Sequence, residues 1–160
     1  MWLALALLPV ALVLDVLDGF VARWRKRASP YGGDLDSLAD IVSFGVAPAM
    51  VGYALGLRGG WDVVMLIYFV CCGIGRLARF NVTAVDLATP GGKVSHFEGT
   101  PIPTSLLVVS ILALAFGLGA THDSLWLGTL RFVWVFHPIV LLYTVSGTLM
   151  VTATLKIPKP

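Results

Sequence analysis

Charge is what this 160-residue chain has least of: 12% of its residues are Asp, Glu, Lys or Arg, against 58% that are hydrophobic. A water-soluble domain carries about a quarter charged residues, so that class is excluded. Cysteine is nearly absent too. Cys71 and Cys72 stand side by side in an apolar segment, where a bridge between neighbours would be strained and a soft metal would find no other ligands. Both read as packing residues. The opening run MWLALALLPVALVL has no basic region before it and no small-residue cleavage site after it, so it reads as a first span and not as a secretory leader. There is no internal repeat or low-complexity tract, and a net charge of +2 gives no reason to expect a nucleic-acid partner.

What remains is an all-α integral membrane protein. A bilayer core of about 30 Å takes roughly 20 helical residues to cross. The apolar runs predict about five transmembrane helices, near 2–27, 34–57, 61–83, 101–119 and 131–153, as one membrane domain over residues 1–160. The first helix should end in the basic turn ARWRKRASPYGG, where Pro30, Gly32 and Gly33 break it before a second opens at Asp34 or Asp36. Threading five spans places Arg23, Arg25, Lys26, Arg27, Arg76, Arg79, Lys93, Lys156 and Lys159 on one side and Arg58 and Arg131 on the other. That asymmetry marks the richer side as cytoplasmic. The N-terminus then lies outside and KIPKP inside. The segment 81–100 becomes the longest polar connection, and its Asn81-Val82-Thr83 sequon is on the wrong side to be glycosylated.

The few acids are not scattered. Residues 15–40, DVLDGFVARWRKRASPYGGDLDSLAD, hold five of the nine. Asp15 and Asp18 are three apart, and Asp36 and Asp40 four apart, so each pair leaves one face of its helix. A tight turn makes the two helices antiparallel neighbours and lets all four carboxylates converge. Four bare negative charges in a low-dielectric site are costly, and oxygen-only clusters suit Mg²⁺, Mn²⁺ or Ca²⁺. Gly19 and Ala22 leave the helix face bare for a bulky ligand, and Arg23 adds a fixed positive charge suited to phosphate. Metals, an arginine and an open helix face point to a pyrophosphate substrate. Salt bridges to RWRKR are the bland alternative. Ion or proton translocation is another, although it calls for acids spread along a path across the bilayer, not gathered at one interface.

The stretch also fits D-x2-D-G-x2-A-R-x8-G-x3-D-x3-D through Asp15, Asp18, Gly19, Ala22, Arg23, Gly32, Asp36 and Asp40. In this it resembles the CDP-alcohol phosphatidyltransferase family. LDSLADIVSFGVAPA, GRLARFNV and FEGTPIP are similar to its phosphatidylserine synthase branch, and the likeness extends over essentially the whole chain. The resemblance implies that the hydroxyl of L-serine attacks CDP-diacylglycerol and releases CMP. It further implies that Asp15, Asp18, Asp36 and Asp40 hold two divalent cations, Mg²⁺ or Mn²⁺, and that Asp40 is the general base. Asp15, Gly19, Ala22 and Arg23 would line the CDP site, and Gly32 would permit the turn.

Arg76, Arg79 and Phe80 of RLARF read on their own as interfacial anchors, and the resemblance turns them toward the serine carboxylate. Ser43 and Phe44 either touch the acceptor or pack between helices. Lys93, Ser95, His96 and Glu98 either cover the pocket or are solvated loop residues. His122 and His137 have no second ligand nearby and are assigned no chemistry, and the tryptophans suit interfacial belts or bundle packing. Family members usually carry six helices, so the span expected before the motif helix is missing here. The resemblance also implies a homodimer in the bilayer, with its site facing the cytoplasm, in the endoplasmic reticulum of a eukaryote or the inner membrane of a bacterium. Glycerol-3-phosphate and inositol remain alternative acceptors.

Overall fold

The computed structural model describes residues 1–25, 30–87, 96–98, 102–119, 128–131, 134–152 and 156–158. Side chains are described for these except residues 22, 23, 25, 30, 83–87, 96–98, 102, 131 and 156–158. Lys26, Arg27, Lys93, Ser95, His122, Trp126 and Lys159 therefore lie outside the described residues.

The chain is an all-α bundle. Helix α1 (Trp2–Arg25) is followed by α2 (Pro30–Asp40), a π-helical segment (Ile41–Val46) and α3 (Ala47–Leu55), which together form one continuous rod. Then come α4 (Gly60–Leu87), α5 (Ser105–Gly117) and α6 (Leu141–Val151), the last two each entered through a 3₁₀ turn. Two short antiparallel ladders complete it. β1 (His96–Glu98) pairs with β4 (Lys156–Pro158), and β2 (Leu130–Arg131) with β3 (Val135–Phe136). Trp2–Val21, Tyr31–Leu55 and Gly60–Val82 are long and apolar enough to cross a membrane, while Ser105–Gly117 and Pro138–Val151 are apolar but shorter.

Three boundaries differ from those the sequence suggests. The second helix opens at Pro30, and Gly32 and Gly33 lie inside it instead of breaking the chain. Proline at the first helical position gives up only an N–H that would be unbonded anyway, and its fixed φ starts the helix. The third span continues to Leu87, so Asn81 is helical and not part of a loop. The last begins only after the β2–β3 hairpin, because Pro138 holds His137 extended at φ −104°, ψ 115°.

The rod's π-helical segment has a cause in the sequence. Pro48 has no N–H for the carbonyl of Phe44, and its ring collides with that carbonyl in a regular α-helix. The backbone widens instead, and the Ala47 N–H reaches back five residues to the Val42 carbonyl. The Tyr143 hydroxyl, fully buried, donates to the Pro48 carbonyl at 2.6 Å and ties α6 to this segment. Close approach of α4 and α6 rests on Gly147. A Cβ there would sit 3.3 Å from Phe69 Cα and Cys72 Cβ.

At the other end of the bundle, α3 stops at Gly56, whose φ of 131° favours glycine. The chain turns into α4 over a buried polar clamp. Asp62, fully buried in the first turn of α4, accepts from the Gly59 N–H at 2.9 Å and from the His137 N–H at 2.8 Å. It also pairs with His137 Nδ1 at 2.5 Å. The Gly59 bond is one half of a capping box, and the histidine contacts fasten the start of the last helical element to the start of α4. Trp61 and Trp134 pack together here with centroids 5.6 Å apart, and Arg58 lies over the Tyr53 ring. This aromatic rim suits a membrane interface.

Helix α1 is the least covered element. Leu3, Leu14, Val16, Phe20 and Trp24 are all exposed, as lipid-facing residues would be. It is held mainly through Leu5, Leu8 and the edge-to-face contact of Trp2 with Phe116 at 5.0 Å.

Breaking the Asp62–His137 pair from either side leaves a buried polar group without its partner, an effect worth about 3 kcal/mol or more. Asp62→Ala and His137→Ala are each expected to lower the thermal unfolding midpoint in detergent by several degrees. Their double variant is expected to fall by less than the sum of the two.

Candidate active site

The four aspartates lie toward the end of the bundle opposite that clamp. Asp15 and Asp40 are partly buried, while Asp18 and Asp36 are exposed. The Asp40 carboxyl lies within hydrogen-bonding reach of Asp15 and in the field of Asp36. Asp36 in turn feels both Asp15 and Asp18. The 3- and 4-residue spacing on neighbouring helices thus brings Asp15, Asp36 and Asp40 into one another's electrostatic reach, with Asp18 coupled to Asp36. The donors are all hard oxygens, the chemistry that divalent cations take, and two carboxylates this close need a shared proton or a cation between them. Among the described residues no three Asp, Glu, His or Cys side chains are already gathered closely enough to hold an ion.

The opposing charge comes from α4. Arg76, half-buried, faces Asp40 and has Arg79 as its neighbour. Its Nε is buried and has no hydrogen-bond partner, so the site contains a donor with unused capacity. Arg79 has a different position. Its Nη2 donates to the Val151 carbonyl at 2.7 Å, capping the C-terminal end of α6, where a cation is favoured by the helix dipole. Phe80, the third member of the expected serine set, is 46% exposed.

Gly19 lies on α1 directly after Asp18 and is partly buried. Ala22 and Arg23 belong to the last turns of α1, with side chains outside the described set. Gly32 sits within the first turn of α2, so it does not form the turn it was expected to permit. Of the two residues that follow Asp40, Phe44 is a core residue at 1% exposure, and Ser43 is partly buried. His96 and Glu98 form β1 with Phe97, and their side chains lie outside the described set.

Two contacts hold the rod against α4 around the site. A Cβ on Gly73 would lie 2.9 Å from the Ile41 Cδ1 methyl, so glycine permits the helices to close there. Further along, Ser37 Oγ and the Asn81 side-chain amide are hydrogen-bonded, with 3.2 Å to Oδ1 and 3.1 Å to Nδ2. Neither Ser37 nor Asn81 is one of the eight specified motif positions, and the sequon at Asn81 gives no hint of this contact. The signal that could have found Asn81 is its polarity in phase with Gly73, eight residues earlier, on an otherwise apolar helix.

A family model described as CDP-alcohol phosphatidyltransferase matches residues 1–146. The chain is similar to a CDP-diacylglycerol–serine O-phosphatidyltransferase of Saccharomyces cerevisiae, 46% identical over 155 residues, covering 94% of this chain and 56% of that protein. It is also similar to a protein of the same name from Mycobacterium leprae, 46% identical over 121 residues, covering 73% of this chain and 40% of the relative. An archaetidylserine synthase of Methanothermobacter thermautotrophicus is 40% identical over 110 residues, covering 67% and 44%. The chain spans about half the length of the curated relatives it matches. No solved structure matches it.

The Ile41–Gly73 approach is testable without an activity assay. Gly73→Val overfills the contact and is expected to cost about 1–3 kcal/mol, read as a lowered unfolding midpoint. Gly75→Ala, where an added methyl meets nothing within 4 Å, is expected to leave the midpoint unchanged or raised.

Proposed function

The chain belongs to the CDP-alcohol phosphatidyltransferase family, and we propose that it transfers a phosphatidyl group from CDP-diacylglycerol to the hydroxyl of L-serine, giving phosphatidylserine and CMP. The observation that carries this reading is the coupling of Asp15, Asp36 and Asp40 across two helices, with Arg76 facing Asp40 from a third. The names of the relatives support serine as acceptor. Two are serine O-phosphatidyltransferases and one an archaetidylserine synthase, so the amino acid is common to them.

In the proposed site Asp15, Asp18, Asp36 and Asp40 hold two divalent cations, Mg²⁺ or Mn²⁺. When bound, these would neutralise charge on the pyrophosphate and on the departing CMP. Gly19, Ala22 and Arg23 lie along the α1 face on which the CDP moiety docks. Asp40 accepts the serine hydroxyl proton as that oxygen forms its bond to the phosphorus bearing diacylglycerol. The phosphorus–oxygen bond to CMP breaks, and CMP leaves with the electron pair. A serine hydroxyl is a weak nucleophile at neutral pH, so a carboxylate held beside it is the necessary partner.

Arg76 takes the serine carboxylate, using the donor capacity its Nε leaves unused. Arg79 supports it from the α6 cap, and Phe80 borders the acceptor. An apolar cavity of about 290 Å³ between the Ile41–Leu55 part of the rod and α4, lined by Val46, Met50, Tyr53, Ile67 and Cys71 among others, suits an acyl chain. The excess of Lys and Arg near this end supports a cytoplasmic orientation. We further read residues 1–160 as one membrane domain working as a homodimer.

The decisive assay incubates purified protein with CDP-diacylglycerol, Mn²⁺ or Mg²⁺ and, separately, serine, glycerol-3-phosphate or inositol, and follows CMP. Serine-dependent release is expected, and release with another acceptor alone would reassign the reaction. Chelation should abolish release and added metal restore it. Asp40→Asn is expected to lose at least about a hundredfold in turnover while still binding CDP-diacylglycerol. Arg76→Ala should raise the KM for serine more than Arg79→Ala does.

A further inference from the structure

We propose that the Ser37–Asn81 hydrogen bond is a positioning latch that holds Arg76 against Asp40 and thereby sets the affinity for the acceptor. The inference rests on the serine-transfer reading and adds to it two residues that are not among the eight specified positions of the aspartate motif.

The geometry comes from two contacts between the same pair of antiparallel helical elements. Ile41 meets Gly73, and Ser37 meets Asn81. Moving back four residues on the rod corresponds to moving forward eight on α4. Asp40 lies between 37 and 41, and Arg76 between 73 and 81, so the carboxylate and the guanidinium that faces it are bracketed on both elements. One bracket is apolar and tolerates sliding, since a methyl on a glycine surface has no directional preference. The other is directional, because a single hydroxyl sits against both Oδ1 and Nδ2 of one amide at 3.2 and 3.1 Å.

Both partners are half-buried between the two elements, where an unpaired amide is costly and an interhelical bond is the usual remedy. Ser37 follows Asp36 immediately and precedes Asp40 by three residues. Any slip or tilt released by losing the bond therefore moves both carboxylates relative to Arg76. Asn81 similarly follows Arg76 by five residues on a continuous helix, so the displacement is not absorbed by a loop. Neither residue is asked to touch substrate. Each acts through groups that do.

The test compares steady-state kinetics and thermal unfolding of wild type, Asn81→Ala, Ser37→Ala, Ser37→Thr and the exchanged pair Ser37→Asn with Asn81→Ser. Asn81→Ala and Ser37→Ala are each expected to raise the KM for serine on the order of tenfold, with the KM for CDP-diacylglycerol and the unfolding midpoint nearly unchanged. Ser37→Thr keeps the hydroxyl and should stay near wild type, and the exchanged pair should recover most of the loss. An unaltered serine KM in both alanine variants, beside an active wild type, overturns the latch alone. So does an equal decline for both substrates together with a lowered midpoint. Absence of serine-dependent CMP release from wild type overturns the transfer reading itself and this inference with it.

Discussion

Everything at the aspartate end of this molecule depends on keeping like charges together. Asp15 and Asp40 approach to hydrogen-bonding reach, with Asp18 and Asp36 close behind. Mutual repulsion would drive α1 and α2 apart unless something outside the pair opposes it. The opposition comes from α4, which supplies the Arg76 guanidinium facing Asp40 and, through Gly73 and Asn81, the contacts that hold the rod in place.

Helix α4 is the organising element for the same reason. On one side it receives the rod; on the other it packs so closely on α6 that a Cβ at position 147 would press on Phe69 and Cys72 at 3.3 Å. Its first turn is fastened by Asp62 to His137, and near its far end Arg79 caps α6 at Val151. The two connections lie at opposite ends of one long helix of about 42 Å. The α4–α6 pair thus forms a braced frame, against which the more exposed α1 carries its aspartates with little cover of its own.

Much of this was legible in the sequence because it depends on local spacing. Aspartates three and four apart must share a helix face, and a chain with so few charges must hide most of itself in lipid. The misreadings are equally physical. Gly32 and Gly33 suggest a break in the chain, yet Pro30 starts a helix as readily as it stops one. The Asn81 sequon drew attention to a loop that is helix. Asp62 and His137, 75 residues apart, form a buried pair that no short-range pattern announces, so a histidine assigned no chemistry holds the bundle closed. Arg76 and Arg79 look equivalent at three-residue spacing, and only the position of α6 separates the one facing Asp40 from the one holding a helix end.

The widened turn at Ile41–Val46 has one more consequence. A hydrogen-bond ring enlarged by one residue shifts the angular phase of everything beyond it by about 100°, the rotation of a single α-helical step. The rod therefore behaves as two helices on a common axle, clocked differently. Its first half can aim Asp36 and Asp40 at the polar end while its second half aims Val46, Met50 and Tyr53 at the apolar cavity. Proline at position 48 is thus more than a tolerated irregularity: it sets the rotational offset between the carboxylate-bearing half of the rod and the half that borders the apolar cavity.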